Sequence, residues 1–202
     1  MRNVLLTGVG GQGTVLAAKV LAQAAQAKGW QVRTAETIGM AQRGGSVVSH
    51  VRMGDNGEEV IAPLVAKGTA DMIIAFEPAE AARVLPYLAP DGVMVSATTS
   101  IQPITAALST EPYLAEATIA SLRGRLNGSA EAPARFVLVD DEAVLSQVGN
   151  RKALNIVLLA FALKTGHLPL SLDDLRDAVR ACVKPRFVEL NLAAIDLVES
   201  KE

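Results

Sequence analysis

The sequence contains few of the residues that redox and metal enzymes use as ligands. It has one cysteine, Cys182, and two histidines, His50 and His167, in 202 residues. A single thiol cannot form an internal disulfide, and it supplies only one of the four ligands that an iron–sulfur cluster usually takes. The two histidines are far apart and lack the spacing of a metal-binding motif. We therefore expect no metal or iron–sulfur site in this chain, and a buried, unreactive Cys182.

Clusters of basic residues and long apolar runs are absent as well. The net charge is −2 and the 19 basic residues are interspersed with 21 acidic ones, so the sequence predicts no nucleic-acid binding. The longest apolar run, residues 156–163, is far shorter than the roughly 20 residues that cross a bilayer. A glycine cluster near the start interrupts any signal-peptide core. These features predict a cytoplasmic protein that does not contact a membrane.

Short apolar runs alternate with helix-forming segments over the first 140 residues. The predicted strands are 3–7, 31–36, 46–54, 59–63, 71–76, 92–97 and 135–140. The predicted helices are 13–29, 78–88, 112–127, 141–148, 150–165, 172–183 and 186–199. Strands separated by helices indicate a mostly parallel sheet with helices on both faces. The turn at 55–57 indicates an antiparallel hairpin.

The fold class that follows is α/β and Rossmann-like, with an antiparallel hairpin near 46–63 and a helical C-terminal region. We expect a single domain over residues 1–202. Its sheet body would end near residue 140 and its helical part would begin near residue 141.

Residues 8–13 read GVGGQG and follow the first predicted strand. Gly8, Gly10 and Gly13 satisfy the pattern G-x-G-x-x-G, which binds dinucleotides when it lies between a strand and a helix. Gly10 and Gly11 stand where a positive φ or a close backbone approach is expected. Free N–H groups at the start of the helix would favour an anion. The alternative is that these glycines only form a tight turn.

Two polar residues extend this candidate cofactor site. Glu36 ends the second strand, 28 residues after Gly8, and could bond a ribose as in dinucleotide-binding folds, where the interval is about 20 residues. The amide of Gln12 can both donate and accept, so it could orient a ligand or hold a neighbouring loop in place.

A second glycine cluster, QRGGSVVS, lies at residues 42–49. Arg43 precedes Gly44 and Gly45, so a guanidinium lies beside flexible backbone and could bind a carboxylate or a phosphate. A solvated Arg in a surface turn is the alternative. Loops that follow neighbouring strands meet at one edge of such a sheet, so we expect this segment, with Ser46 and Ser49, at a partner or active-site interface.

Both glycine clusters carry a resemblance to a known family. GVGGQGTVLAAKVLA (8–22) followed by ETIGMAQRGGSVVSHVR (36–52) resembles the gamma subunit or domain of 2-oxoacid:ferredoxin oxidoreductases, above all the small subunit of the indolepyruvate type. The segments 149–166 and 168–197 resemble the family's Asn-containing helix and its C-terminal helices. The sequence departs at Ala160–Phe161, where the family has Leu-Gly, and this change concerns packing. The resemblance covers nearly the whole chain.

The resemblance implies the oxidative decarboxylation of a 2-oxoacid, such as an arylpyruvate, to an acyl-CoA with ferredoxin as acceptor. It places thiamine diphosphate, Mg²⁺ and 4Fe–4S clusters in a larger partner subunit, with coenzyme A as co-substrate and no catalytic residue in this chain. A free-standing NAD- or FAD-binding oxidoreductase and a nucleotide sensor are the alternatives. The first would need a proton-transfer residue, and none is obvious; His50 is a candidate, although a lone histidine in a strand is more often a packed or surface residue.

Overall fold

The computed structural model describes residues 1–39, 44–101, 113–127 and 135–201. Within them the chain forms six strands and seven α-helices. The strands are β1 (Arg2–Val9), β2 (Gln31–Ile38), β3 (Ser46–Gly54), β4 (Ala70–Ala75), β5 (Leu88–Ala97) and β6 (Phe136–Val139). The helices are α1 (Thr14–Ala27), α2 (Pro78–Val84), α3 (Ala115–Leu126), α4 (Asp141–Val148), α5 (Leu154–Lys164), α6 (Leu172–Cys182) and α7 (Pro185–Glu199). Short 3-10 turns occupy Leu85–Tyr87 and Arg151–Ala153.

The six strands form one sheet in the order β2-β3-β1-β4-β5-β6. The strands β1, β4, β5 and β6 are parallel, whereas β3 runs antiparallel to both of its neighbours, β1 and β2. Consequently β2 points the same way as β1. The carboxyl ends of five strands therefore meet at one edge of the sheet: those of β1, β2, β4, β5 and β6. We call this the carboxyl edge. The expected α/β class with a mostly parallel sheet is confirmed.

The predicted hairpin within 46–63 is wrong in its pairing. The strand at 46–54 exists, but 59–63 forms no strand, and β3 instead forms a hairpin with β2 through residues 39–45. The segment after Gly54 leaves the sheet and crosses over it. There the Val65 N–H donates to His50 Nδ1 at 3.2 Å. Both sides of β3 are already paired, so the sheet has no free position beside it for another strand.

Side chains alternate along each strand, so the sheet buries two separate cores. Val4 and Leu6 of β1 face a large core that contains α1 and the helices α4 to α7. Leu5 faces a smaller core that contains α2, α3 and Val65. We call these the large-core face and the small-core face. Half of the residues are hydrophobic but few are aromatic, and the large core accordingly consists mostly of Ala, Val, Leu and Ile.

Helix ends follow local sequence signals in several places. Ser171 caps α6, and Asp174 completes a capping box with it; such a cap satisfies two otherwise unpaired backbone donors. Pro185 opens α7, where its missing N–H leaves no bond unmade. In the described part of the chain, no helix combines the length and the apolar character that crossing a membrane requires.

Candidate functional site

The glycine loop, residues 8–13, connects β1 to α1 at the carboxyl edge. Gly11 has φ 101° and Gly13 has φ 85°, so both lie in the left-handed region that side chains disfavour. Gly13 is the N-cap of α1 and has no side chain with which to cap it. The loop therefore turns sharply from strand to helix, as the spacing predicted.

Gln12 closes this loop from the inside. Its Oε1 accepts from the Val9 N–H at 2.7 Å, and its Nε2 donates to the Phe76 carbonyl at 2.8 Å. The first bond fixes the turn, and the second joins it to the end of β4. The amide thus makes one bond through each of its polar atoms within the protein. Of the two roles expected for Gln12, the structure shows the one that holds neighbouring backbone in place.

The glycines of the loop differ in the space around them. A Cβ on Gly8 would lie 2.7 Å from Gln12 Oε1 and 2.9 Å from the Phe76 Cβ, whereas a Cβ on Gly10 would lie 3.6 Å from the Gly45 carbonyl oxygen, an ordinary contact. Gly10 also lacks a positive φ. Of the two features expected at Gly10 and Gly11, the positive φ is found at Gly11 and the close backbone approach at Gly10, through its hydrogen bond to Gly45.

That hydrogen bond joins the two glycine-rich segments directly. The Gly10 N–H donates to the Gly45 carbonyl at 2.9 Å, and the Gly39 N–H donates to the Ser46 carbonyl at 2.8 Å. The second bond closes the base of the 39–45 connection. Gly44 is exposed, while Arg43 lies outside the described residues.

Ser46 and Ser49 have different surroundings. Ser46 Oγ is 2.5 Å from Glu80 Oε2, so the start of β3 is bonded to α2. Ser49 is fully buried on the large-core face, level with Leu6 of β1, and its hydroxyl has no partner among the described residues. The prediction that Ser49 lies at an interface is wrong, because a central strand places it under α1.

Glu36 lies on the large-core face of the edge strand β2, and it is exposed. Its strand neighbour is Ser49 of β3, and β3 separates β2 from β1. At about 4.8 Å per strand, β2 is roughly 10 Å from β1 rather than about 5 Å. Glu36 shares an open groove of about 360 Å³ with Lys19 and Val15 of α1. The inserted strand therefore separates Glu36 from the glycine loop, unlike the arrangement of a dinucleotide fold.

A buried polar cluster beside the loops was not found from the sequence. Glu77 is 1% exposed and caps α2, its Oε2 accepting from the N–H groups of Ala79 and Glu80 at 2.6 and 3.1 Å. The Tyr113 hydroxyl donates to Glu77 Oε1 at 2.9 Å. Burial, together with the Glu77 carboxylate, raises the pKa of Tyr113 well above its ordinary value, so the phenol keeps its proton. The dipeptide Glu77–Pro78 is a helix-start pattern that could have indicated the cap.

Asn155 was also missed as a neighbour of the loop. It is 4% exposed in the first turn of α5, and its Nδ2 is 3.1 Å from where a Cβ on Gly13 would lie. The starts of α1 and α5 therefore meet at Gly13. Asn155 Oδ1 accepts from the Ile156 N–H at 3.0 Å, which orients the amide towards the loop.

His50 is too distant from this edge to act on anything bound there. It lies in the middle of β3 opposite Leu5, is 5% exposed, and accepts from the Val65 N–H. Burial lowers the pKa of His50 below its ordinary value, so the ring is neutral near pH 7. The structure gives His50 the role of holding the segment after β3, and this removes the candidate proton donor for a dehydrogenase.

The described residues offer little for binding a metal ion. They contain no group of three or more His, Cys, Asp or Glu side chains that could hold a metal ion. Cys182 is partly exposed, not fully buried as predicted, and burial raises the pKa of its thiol. The raised pKa disfavours the thiolate that would ligate a metal or act as a nucleophile.

An apolar rim surrounds the glycine loop on the large-core side. Val15 and Leu16 in the first turn of α1 are 46% and 37% exposed, and Ile38 at the end of β2 is 66% exposed. Ile38 is level with Gly8 through Val47 of β3. Exposed apolar side chains grouped around a rigid loop are typical of protein-binding surfaces.

Comparisons with known proteins agree on one family. The family described as pyruvate ferredoxin/flavodoxin oxidoreductase matches residues 3–198. The chain is 36% identical over 197 residues to the indolepyruvate oxidoreductase subunit IorB of Pyrococcus horikoshii, which covers 96% of this chain and 93% of that relative. IorB of Archaeoglobus fulgidus is also 36% identical, with 96% and 92% coverage.

Solved structures share the fold. The gamma subunit of a keto/oxoacid ferredoxin oxidoreductase from Geobacter sulfurreducens has a TM-score of 0.65 and 23% identity, with 98% of this chain and 96% of that chain covered. A 2-oxoglutarate:ferredoxin oxidoreductase from Magnetococcus marinus has a TM-score of 0.66 and 16% identity, and there the match covers 100% of this chain but 31% of that chain. The resemblance seen in the glycine motifs is confirmed, and the chain belongs to the pyruvate ferredoxin/flavodoxin oxidoreductase family, as a subunit of an oxidoreductase complex.

Proposed function

We propose that this chain is the small subunit of an indolepyruvate- or arylpyruvate-type ferredoxin oxidoreductase, which oxidatively decarboxylates its 2-oxoacid to an acyl-CoA. In this proposal the larger partner subunit holds thiamine diphosphate, Mg²⁺ and the 4Fe–4S clusters, and the electrons leave to ferredoxin. The names of the IorB relatives support the substrate class. The single cysteine supports placing the clusters elsewhere.

The observation that carries the proposal is the glycine loop held by its own chain. Gln12 bonds to Val9 and Phe76, and Gly10 bonds to Gly45. A loop that binds a pyrophosphate presents free backbone donors to it. Here the N–H groups of Gly10 and Gln12 donate to carbonyls of the protein itself. A preformed loop surrounded by exposed Val15 and Ile38 is suited to contact with another protein, which needs a rigid, complementary surface.

The first experiment compares the purified chain with the reconstituted complex. We expect the isolated chain to oxidise no 2-oxoacid and to bind no iron, and the chain mixed with its larger subunit to reduce ferredoxin with indolepyruvate and coenzyme A. Visible absorbance from stoichiometric iron in the isolated chain would contradict the proposal. A complex that forms but prefers an aliphatic 2-oxoacid would contradict only the substrate class.

The second experiment tests the apolar rim as the docking surface. Val15→Asp with Ile38→Asp should weaken binding to the larger subunit about a hundredfold, because each charge would be buried without a partner. Ile61→Asp with Leu64→Asp is the matched control, since Ile61 is 82% and Leu64 is 56% exposed on the segment that follows β3. The control should bind as the wild type does. Equal binding by both variants would exclude the rim from the interface.

Dinucleotide binding is the competing function, and the G-x-G-x-x-G spacing favours it. Titration of the isolated chain with NAD, NADP and FAD separates the two. We expect at most weak binding, since β3 keeps Glu36 away from the loop. Micromolar binding of one dinucleotide that is weakened by Glu36→Ala would favour the free-standing oxidoreductase.

A further inference from the structure

Four basic side chains gather where α5 and α7 begin. Arg151 and Lys152 form the 3-10 turn before α5, and Lys184 and Arg186 flank the start of α7. Lys152 Nζ lies 5.6 Å and Arg186 Cζ lies 4.8 Å from the centroid of the Phe187 ring. We call these four residues the basic corner. Residues 151–152 and 184–186 are far apart in sequence, so only the fold brings them together.

None of the four cations has a carboxylate partner among the described residues. Every ion pair recorded there uses another cation. All four are exposed. Glu189, one turn further along α7, is the only acid close in sequence to the two α7 cations, so the corner keeps a net positive charge in a chain whose overall charge is −2.

The helix starts make the corner more positive still. The start of a helix carries a partial positive charge and normally attracts acids. Acidic residues occupy the first turns of α2, α3, α4 and α6. The first turns of α1, α5 and α7 contain none, and cations stand beside the starts of α5 and α7. Local electrostatics therefore oppose this arrangement, and an external anion would relieve it.

The basic corner adjoins the glycine loop. Asn155 follows three residues after Lys152 and contacts the site of Gly13. The corner therefore continues the carboxyl edge that carries the apolar rim. Its charges come from two segments, and two of them lie against an aromatic ring, which spreads the charge over a surface. An extended acidic surface suits this arrangement better than a single small anion.

We propose that the basic corner docks an acidic surface of the larger subunit and accelerates assembly of the complex by electrostatic steering. This inference rests on the proposed function, and it adds the charge of the partner's surface and the kinetic step that the corner controls. Steering changes the association rate constant more than the dissociation rate constant, and salt screens it.

The test measures association of the two purified subunits by stopped flow at low and high ionic strength. Arg151→Glu with Lys184→Glu reverses two charges and leaves both cations on Phe187 in place. Its association rate constant should fall about tenfold or more at low salt, and the difference from wild type should vanish at high salt. Lys67→Glu with Arg125→Glu reverses the same charge at exposed positions on the small-core side. That control should stay within about twofold of wild type.

Two further measurements separate docking from structural roles. Arg151→Lys with Lys184→Arg keeps the charges and should restore the wild-type rate. The melting temperature of the charge-reversed variant should not fall, because acids at helix starts are favourable. An association rate equal to that of the control would overturn the proposal while leaving the proposed function intact. Absence of any wild-type complex would overturn both.

One outcome would identify a different ligand. If the charge-reversed variant assembles normally but the KM for coenzyme A rises about tenfold, the corner recognises a phosphate-bearing small molecule, and the docking proposal is wrong.

Discussion

The glycine loop and the basic corner meet at Asn155, but polar groups of the loop have partners within the described part of the chain and the cations of the corner have no acidic partner there. In the loop, Gln12 makes hydrogen bonds within the chain from both polar atoms of its amide. In the corner, none of the four cations has an acidic partner among the described residues, and two helix dipoles add to the repulsion. The loop bears the glycine fingerprint of a ligand site, whereas the corner has no sequence motif.

We interpret the unpaired charges of the corner, rather than the glycine motif of the loop, as the sign of a binding role. Hydrogen bonds inside the loop stabilise its own shape, and such a loop needs no ligand to be ordered. Uncompensated charge lowers stability slightly, and binding of an oppositely charged surface would remove that cost. The loop is therefore interpreted as a structural element that shapes a surface, and the corner as a surface that attracts a partner.

Gly8→Ala should have the largest effect on the loop. The new Cβ would lie 2.7 Å from Gln12 Oε1 and 2.9 Å from the Phe76 Cβ, so the turn and the end of β4 would both have to move. Overpacking of this kind costs about 1–3 kcal/mol, and loss of the Gln12 bonds would add to that. Urea unfolding measures the change, and a variant as stable as wild type would show that the turn can relax freely.

Gln12→Leu should have the second-largest effect. It leaves the Val9 N–H without its acceptor and the Phe76 carbonyl without its donor, and each unsatisfied buried group costs about 1–3 kcal/mol. We expect a loss of about 2 kcal/mol in the free energy of unfolding. Gln12→Glu is the matched variant, since its carboxylate can still accept from Val9 but cannot donate to Phe76. If both variants unfold like wild type, the amide does not hold the loop.

Acid should destabilise the protein partly through His50. Because burial lowers its pKa in the folded state, the unfolded chain binds the proton first. This contribution is absent at neutral pH and grows as the pH falls below about 6.5, with a slope of at most about 1.4 kcal/mol per pH unit. His50→Gln should flatten the pH dependence of the unfolding free energy between about pH 7 and pH 5. An unchanged slope would mean that His50 binds a proton equally well in the folded and the unfolded chain.

Gly10→Ala should have the smallest effect, and it sharpens the contrast with Gly8. Its Cβ has room, its φ is ordinary, and its N–H can still bond to Gly45. Less backbone freedom in the unfolded chain even favours the variant, by about 0.4–1 kcal/mol. We expect the unfolding midpoint to match or slightly exceed that of wild type. A clear loss of stability would show that the junction with Gly45 is tighter than this structure indicates.

The sequence predicted the parts of the fold that local patterns determine. Apolar runs located β1, β3 and β4, and helix periodicity located α1 and α4, because neighbouring residues decide these features. Strand pairing depends on residues far apart, so the position of β3 between β1 and β2 could not be read from a turn at 55–57. The division into a sheet body and a helical part of one domain stays a prediction.

The candidate site was predicted less completely for the same reason. The glycine spacing located the loop, and Gln12 was recognised as a polar element in it. The alternation of Val and Ser placed strand β3 but could not show that Ser49 lies under α1. Charge along the sequence shows no basic cluster, since the corner combines residues 151–152 with 184–186. Arg43 remains a predicted contact outside the described residues.

Strand β3 has a consequence for how this protein can be altered. Both of its sides are paired, and its alternating side chains belong to two different cores. A shift of the register by one residue would move Ser49 and His50 to the opposite faces of the sheet and take the side chains of β3 out of both cores. The register is thus locked by the sheet and not by the length of the 39–45 connection, whose base is closed by Gly39 and Ser46. Insertions after Gly39 would therefore leave the sheet unchanged. Such an insertion would lie beside the carboxyl edge and next to the predicted contact at Arg43, so it would change the candidate interface without changing the register.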